Sequence, residues 1–252
     1  MIKIETIFAN NSLSNYYYLI NNEDNEFFVI DPFESEVVTQ KIKKMNGTLK
    51  SIFLTHGHHD HIRGALELKN LFNSKILGHN ILNTKIKIDQ FVKEDDQILL
   101  TNERNANGHN SFLTVIETPG HTKDHVCYML NENNKDQLLF TGDTIFQAGV
   151  GNCHNGGDPK VLYNTILKLK NILTNDIKIY SGHDYIENNL LFAKSIDAEN
   201  YEIDKTLKLI RSDQFINIDY KTTYELEKRI NVFFKAKNME EFLKYRELRN
   251  SW

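Results

Sequence analysis

Apolar and polar positions alternate at short range through the first two thirds of the chain and at helical range after it. Runs rich in Ile, Phe, Tyr and Val predict strands over 2–8, 16–20 and 27–30, and the polar turn 21–25 between the last two marks a β-hairpin. Asp31-Pro32 closes the third strand, and the spacing of Val37, Val38 and Ile42 predicts a helix over 35–44. A strand over 51–54, a polar loop and a helix over 62–72 follow as one unit, with a further strand at 75–78. Two strands between 98 and 118 flank a loop, 102–111, whose Asn, Gly and charged residues predict solvent exposure. Strands over 126–130 and 137–140, a helix over 159–173 and a strand over 177–180 complete this part.

Beyond Asp184 the pattern changes. Helices are predicted over 185–194, 204–211, 224–232 and 239–248, with no convincing strand between them. The boundary implied is at residue 184: a larger α/β unit, 1–184, and a small all-helical unit, 185–252. No internal repeat or long low-complexity tract is present.

Composition narrows the class. With 252 residues, 40% hydrophobic and 25% charged, the chain is long enough for a large core and is not disordered over its length. A formal charge of −4 provides no basic face for nucleic acid, and none is expected as a partner. No run approaches the roughly 18 apolar residues that a membrane span needs. Cys127 and Cys153, the two cysteines, have no C-x-x-C spacing, so neither a disulfide framework nor a thiolate zinc site is implied. The first residues run straight into strand-like sequence with no leader pattern, and a reduced, cytoplasmic location is expected.

The candidate chemistry lies at strand ends. After the run 51–54 comes Thr55-His56-Gly57-His58-His59-Asp60-His61. Histidines two apart after a strand can converge on one ion, and Asp60-His61 can point to a neighbouring ion. Three more strands end in ligand types: Thr118-Pro119-Gly120-His121, Thr141-Gly142-Asp143 and Ser181-Gly182-His183. Collected, they give His56, His58 and His121 for one ion, Asp60, His61 and His183 for a second, and Asp143 as a bridge, with Asp60 and Asp143 as the catalytic carboxylates. Nitrogen and carboxylate donors suit zinc, iron or manganese. Two metals about 3.5–4 Å apart share a water and lower its pKa toward about 7, which yields a hydroxide nucleophile at neutral pH. Of the remaining histidines, His59, His79, His109 and His125 are read as structural or solvated.

The H-x-H-x-D-H pattern, with Thr-Pro-Gly-His121, Thr-Gly-Asp143 and Gly-His183 in that order, resembles the metallo-β-lactamase superfamily from about residue 1 to 183. The resemblance implies a four-layer αββα sandwich with two divalent ions, zinc foremost, at one edge of its two sheets. It leaves the substrate open, because the scaffold serves many reactions. Four segments, 140–149, 182–190, 226–234 and 242–252, look like glyoxalase II, the hydroxyacylglutathione hydrolases, in which the helical C-terminal domain completes the active site and binds glutathione. That implies a monomeric hydrolase of a small-molecule thioester, S-D-lactoylglutathione to D-lactate and glutathione, in methylglyoxal detoxification. Tyr185 matches the family's glutathione-contacting tyrosine, and Arg246 and Arg249 match its C-terminal basic pair.

The departure follows Gly151, where the family carries a cation and an aromatic residue and this chain has Asn152, Cys153, His154 and Asn155. Asn152 and His154 are therefore expected at the substrate. A lost charge-assisted hydrogen bond is worth about 1.5–3 kcal/mol, or roughly 10- to 100-fold in binding. Thioester hydrolysis is thus implied more firmly than glutathione as the thiol. The alternatives are a thioesterase for another thiol, a mononuclear iron persulfide dioxygenase, against which the long helical C-terminus argues, and a binding module without activity.

Overall fold

Burial on both faces explains why the strands read as apolar runs. In β2 (Tyr16–Asn21), Tyr17 and Leu19 face one apolar layer and Tyr16, Tyr18 and Ile20 another. The computed structural model describes residues 2–101, 110–133, 135–212 and 220–252; the loop predicted over 102–111, apart from its last two residues, and His109 lie outside the described residues.

One sheet runs in chain order: β1 (Lys3–Phe8), β2, β3 (Glu26–Ile30), β4 (Thr48–Phe53), β5 (Lys75–His79) and β6 (Gln90–Val92). It is antiparallel as far as β3 and parallel from β3 to β6. The second has the order β13 (Lys178–Ser181), β10 (Lys135–Gly142), β9 (Val126–Glu132), β8 (Ser111–Glu117), β7 (Gln97–Leu99), with β10 and β13 parallel. Phe28, Ile30 and Phe53 of the first sheet share a core with Val115, Tyr128 and Phe140 of the second. Each such side chain contributes about 1.5–3 kcal/mol on burial.

The outer layers are helical. Val38 and Ile42 of α1 (Ser35–Lys44) cover the first sheet; Leu162, Ile166 and Leu169 of α4 (Pro159–Ile172) join the core outside the second. This is the αββα sandwich. α4 starts where Asp158 Oδ1 accepts from the amides of Lys160 and Val161, with Pro159 at its first position. The later helices are α5 (Ile186–Ile196), α6 (Tyr201–Ile210), α7 (Tyr224–Ile230), α8 (Val232–Lys235) and α9 (Met239–Asn250). Phe192, Phe233 and Phe242 bring them onto the same outer core as α4. Among the described residues no helix is long and apolar enough to cross a membrane.

One expectation needs correction. The helix predicted over 62–72 is two helices, α2 (His59–Ile62) and α3 (Ala65–Phe72), broken at Gly64. Gly64 N–H donates to Pro32 O at 2.8 Å, and a Cβ added to Gly64 would lie 2.8 Å from that oxygen. The chain turns there because only glycine fits. Also unforeseen were β6 and the hairpin β11 (Ile145–Phe146) and β12 (Gly149–Val150), which are too short for a periodic signal.

Candidate metal centre

The ends of β4, β8, β10 and β13 meet at one edge of the sandwich. The parallel β10–β13 pair sets Asp143 beside His183, with Gly182 N–H donating to Gly142 O at 2.8 Å. α2 starts directly after His58 and supplies Asp60 and His61. A side chain at Gly182 would strike Asp143 Oδ1 at 2.5 Å, so the close approach requires glycine.

Side-chain atoms from all seven predicted ligands converge on two adjoining points. In one group, His58 Nδ1 lies 3.0 Å from both His56 Nε2 and His121 Nε2, and His121 Nε2 lies 3.4 Å from Asp143 Oδ2. In the other, His61 Nε2 is 3.2 Å from His183 Nε2, 3.4 Å from Asp60 Oδ2 and 3.3 Å from Asp143 Oδ1. Four ligands about 2.0–2.1 Å from a tetrahedral zinc are about 3.3–3.4 Å from one another. The spacings fit that requirement, and Asp143 also lies beside the second group, 3.3 Å from His61 Nε2 and 3.3 Å from His183 Nε2.

The far nitrogens fix which lone pairs face inward. His121 Nδ1 donates to Asn152 O at 2.6 Å and His183 Nδ1 to Leu13 O at 2.8 Å, and carbonyls only accept. His61 Nδ1 donates to Asp31 Oδ2 at 2.8 Å. Thr55 Oγ1 gives its proton to Asp31 Oδ2 and so accepts from His56 Nδ1 at 3.0 Å. As neutral imidazoles, His56, His61, His121 and His183 therefore turn lone pairs inward, and lone pairs about 3 Å apart repel unless a proton or a heavier cation lies between them. Asp143 Oδ1 is buried and accepts no hydrogen bond, as a metal-binding oxygen should. The donor set fits divalent metals.

The electrostatics agree. Burial alone would raise the Asp143 carboxyl, but His183 and His61 hold it well below the usual carboxylate range. Burial, reinforced by His61, drives His56 well below its ordinary value, so it is neutral and available as a ligand. His61 moves up despite burial because Asp143 and Asp31 flank it. A proton there takes the position that a heavier cation would fill.

Three supporting residues escaped the sequence reading. Asp31 accepts from Thr55 N at 2.7 Å, from the Thr55 hydroxyl and from His61. Asn15 Nδ2 donates to Asp60 Oδ2 at 2.8 Å. His125, read as structural, is buried, stacks on His56 and accepts the Asp143 amide through Nε2 at 3.1 Å. Asp-Pro at a strand end and an Asn in a polar turn carry no signal for such roles.

Comparison with known proteins decides the family. The metallo-beta-lactamase superfamily profile matches residues 11–183, and the hydroxyacylglutathione hydrolase C-terminus profile matches 184–252. A hydroxyacylglutathione hydrolase from Nitrosococcus oceani is 35% identical over 99% of each chain, and one from Francisella tularensis subsp. novicida is 34% identical over the whole of both. The chain belongs to the hydroxyacylglutathione hydrolase family. Its fold is shared with ETHE1 from Myxococcus xanthus, 23% identical with a TM-score of 0.70 over 97% of this chain and 90% of that one. It is shared too with BJP-1, a subclass B3 metallo-beta-lactamase of Bradyrhizobium japonicum, at 17% identity and a TM-score of 0.57 over 94% and 89%.

Beside the cluster a cleft of about 210 Å³ is lined by Phe146, Asn152, His154, Tyr185, Arg246 and Arg249, among others. The Tyr185 ring stacks on His183 with centroids 4.9 Å apart, which joins the cleft to the metal-type cluster. The two arginines differ. Arg246 is 5% exposed and directs Nη1 at Val150 O (2.9 Å) and Gly151 O (3.1 Å), and Nε and Nη2 at Asn250 Oδ1. Burial pushes it down to about 10, still a cation at neutral pH. Half-buried Arg249 gives Nη2 to Asn189 Oδ1 at 3.2 Å. Asn152 and His154 are exposed at the cleft, and the Asn152 side chain accepts from His154 N. Burial pushes the thiols of Cys127 and Cys153 up to about 12 and about 11, so neither is a thiolate at neutral pH.

Proposed function

We propose that this protein hydrolyses glutathione thioesters, S-D-lactoylglutathione foremost, to D-lactate and glutathione. One observation carries the reading: Asp143 stands between two groups of metal-ligating side chains, and the cleft walled by Tyr185 and Arg249 adjoins them. His56, His58 and His121 would hold one divalent ion, Asp60, His61 and His183 the second, and Asp143 both. Zinc is proposed as the native metal, with iron or manganese as the tested alternatives. Two such ions supply a water acidified toward neutral pH and a Lewis acid for the thioester carbonyl oxygen.

The protein's own part is orientation. Asp60, steadied by Asn15, and Asp143, kept ionised by His183 and His61, are the carboxylates proposed to accept the proton of the attacking water. Tyr185 forms the wall beside His183, and Arg249 meets a carboxylate of the substrate. The departing thiol has a pKa of about 8.5, so it leaves as a thiolate without a strong general acid. The division into a catalytic unit, 1–184, and a substrate-binding helical unit, 185–252, belongs to the same proposal, as does a cytoplasmic location.

A second reading, a thioesterase for another thiol, is favoured by Arg246, which spends most of its donors on the protein itself. Assay of zinc-loaded protein against thioesters that differ in the thiol tests both. S-D-lactoylglutathione is expected to turn over fastest. If it is ignored while another thioester is cleaved, the thiol is wrong and the reaction class stands. Oxygen uptake on a glutathione persulfide, with one iron per chain, would instead identify a dioxygenase.

A further inference from the structure

From Gln147 to Gly151 the chain holds only the two-residue strand β12, and every residue is tied by its backbone to a side chain of the C-terminal helices or of Asn231 between α7 and α8. Asn189 Nδ2 donates to Gln147 O at 3.0 Å, and Ala148 N–H donates to both oxygens of the Glu227 carboxylate at 3.0 and 3.1 Å. Asn231 Nδ2 donates to Gly149 O at 3.1 Å and to Glu227 Oε2 at 2.8 Å, and Arg246 takes the carbonyls of Val150 and Gly151. All four anchors are buried, Glu227 completely. Ala148 has φ +59°, a backbone state that a non-glycine residue keeps only when its surroundings enforce it. A fully buried carboxylate is costly, and an apolar side chain would pack as well.

Both ends of this strap reach the metal-type cluster. Asp143 lies just before it, and Gly151 N–H returns to Thr144 O at 3.4 Å. Gly151 is pressed so closely on His121 that an added Cβ would lie 2.8 Å from its Nδ1. The next residue, Asn152, offers the carbonyl that accepts the His121 Nδ1 proton.

We propose that Glu227 and Arg246 are positioning residues for His121: from the C-terminal helices they hold the strap 147–151, so that the Asn152 carbonyl keeps the His121 Nε2 lone pair turned to the metal. The inference rests on the metal-centre reading of His121. The helical unit thereby acts on the reaction centre as well as on the substrate. Burial raises the Glu227 carboxyl to about 7, so it passes between neutral and ionised forms near neutrality, and ionised it is the stronger acceptor for Ala148. Residues 145–151 contain no titratable side chain; Tyr220, itself raised by burial and by Glu227, faces it, and Arg246 grips the other end of the strap.

Zinc titration of the full chain, followed in long-range proton–nitrogen spectra of the imidazoles, reads the His121 tautomer and the filling of each half-site separately. At about pH 8, Glu227→Gln and Arg246→Met should bind zinc about 10-fold more weakly at His56/His58/His121, with the His121 proton averaged over both nitrogens, and within about twofold of wild type at Asp60/His61/His183. At about pH 6, Glu227→Gln should approach wild type, because glutamic acid and glutamine are both neutral, whereas Arg246→Met should not. Thermal melts verify that each variant is folded, and if Arg246→Met is not, Glu227→Gln decides alone. Equal weakening of both half-sites, or none at either, overturns the proposal. A wild-type protein that takes up no zinc at either half-site overturns the metal-centre reading, and is seen before any variant is compared.

Discussion

Asp31 illustrates how a residue can matter to a site without signalling it. Its carboxylate takes three donors, two from Thr55 and one from His61, with the backbone at φ +51°. In the sequence it reads as the end of a strand before proline, and nothing in the intervening residues links it to His61. The seven ligand types were legible because they share one grammar, a strand followed by a donor. Residues that orient ligands obey no such grammar, since any acceptor at the right point will serve. Asp31→Ala should lower metal affinity at the Asp60/His61/His183 half-site about 10- to 100-fold in a competing-chelator titration. Equal affinities would mean that His61 keeps its tautomer by other means. Asp143→Ala should be more severe, since Asp143 touches both groups, Oδ1 beside His61 and Oδ2 beside His121 and His183. Loss of both ions and of turnover is expected by metal analysis and thioester assay, and full retention of both would remove the bridging role.

At the scale of elements, the strands were legible because layers on both sides bury them, which turns them into apolar runs with abrupt polar ends. The break between α2 and α3 was not, because it depends on a carbonyl from Pro32, far off in the chain. Gly64 connects the helix that carries Asp60 and His61 to the one that packs on the first sheet. Gly64→Ala should push the backbone away from Pro32 and destabilise the protein by about 1–3 kcal/mol. A lower urea midpoint with an unchanged slope is the expected result. A variant as stable as wild type would show that the 2.8 Å approach relaxes without cost. The hairpin at 145–150 escaped for another reason: strands of two residues have no period, and its positive-φ position holds Ala148 where glycine would have marked a turn.

For the whole molecule, the resemblance to the metallo-β-lactamase superfamily implied the sandwich and the pattern after residue 184 the helical ending, but neither showed how the two are joined. A sequence gives the identity of Arg246 and Glu227, not the direction of their hydrogen bonds, and both face the strap. Glu227 leaves a measurable trace on overall stability. Its folded-state pKa of about 7 lies above the ordinary 4.5, so the folded protein binds this proton more tightly than the unfolded chain does. The resulting stabilisation is complete below about pH 4.5 and is lost as pH rises through about 7. At about 1.36 kcal/mol per unit, the loss is about 3 kcal/mol. The histidine cluster also titrates in this range, so the clean quantity is the difference between wild type and Glu227→Gln, taken on metal-free protein by urea unfolding. That difference, wild type minus variant, should fall by most of this, about 2.5 kcal/mol, between about pH 5 and about pH 8. A constant difference would mean that Glu227 ionises alike in folded and unfolded chains. A falling one, combined with weaker zinc binding by the same variant at the higher pH, would mean that the buried carboxylate is kept at the expense of stability for what it does at His121.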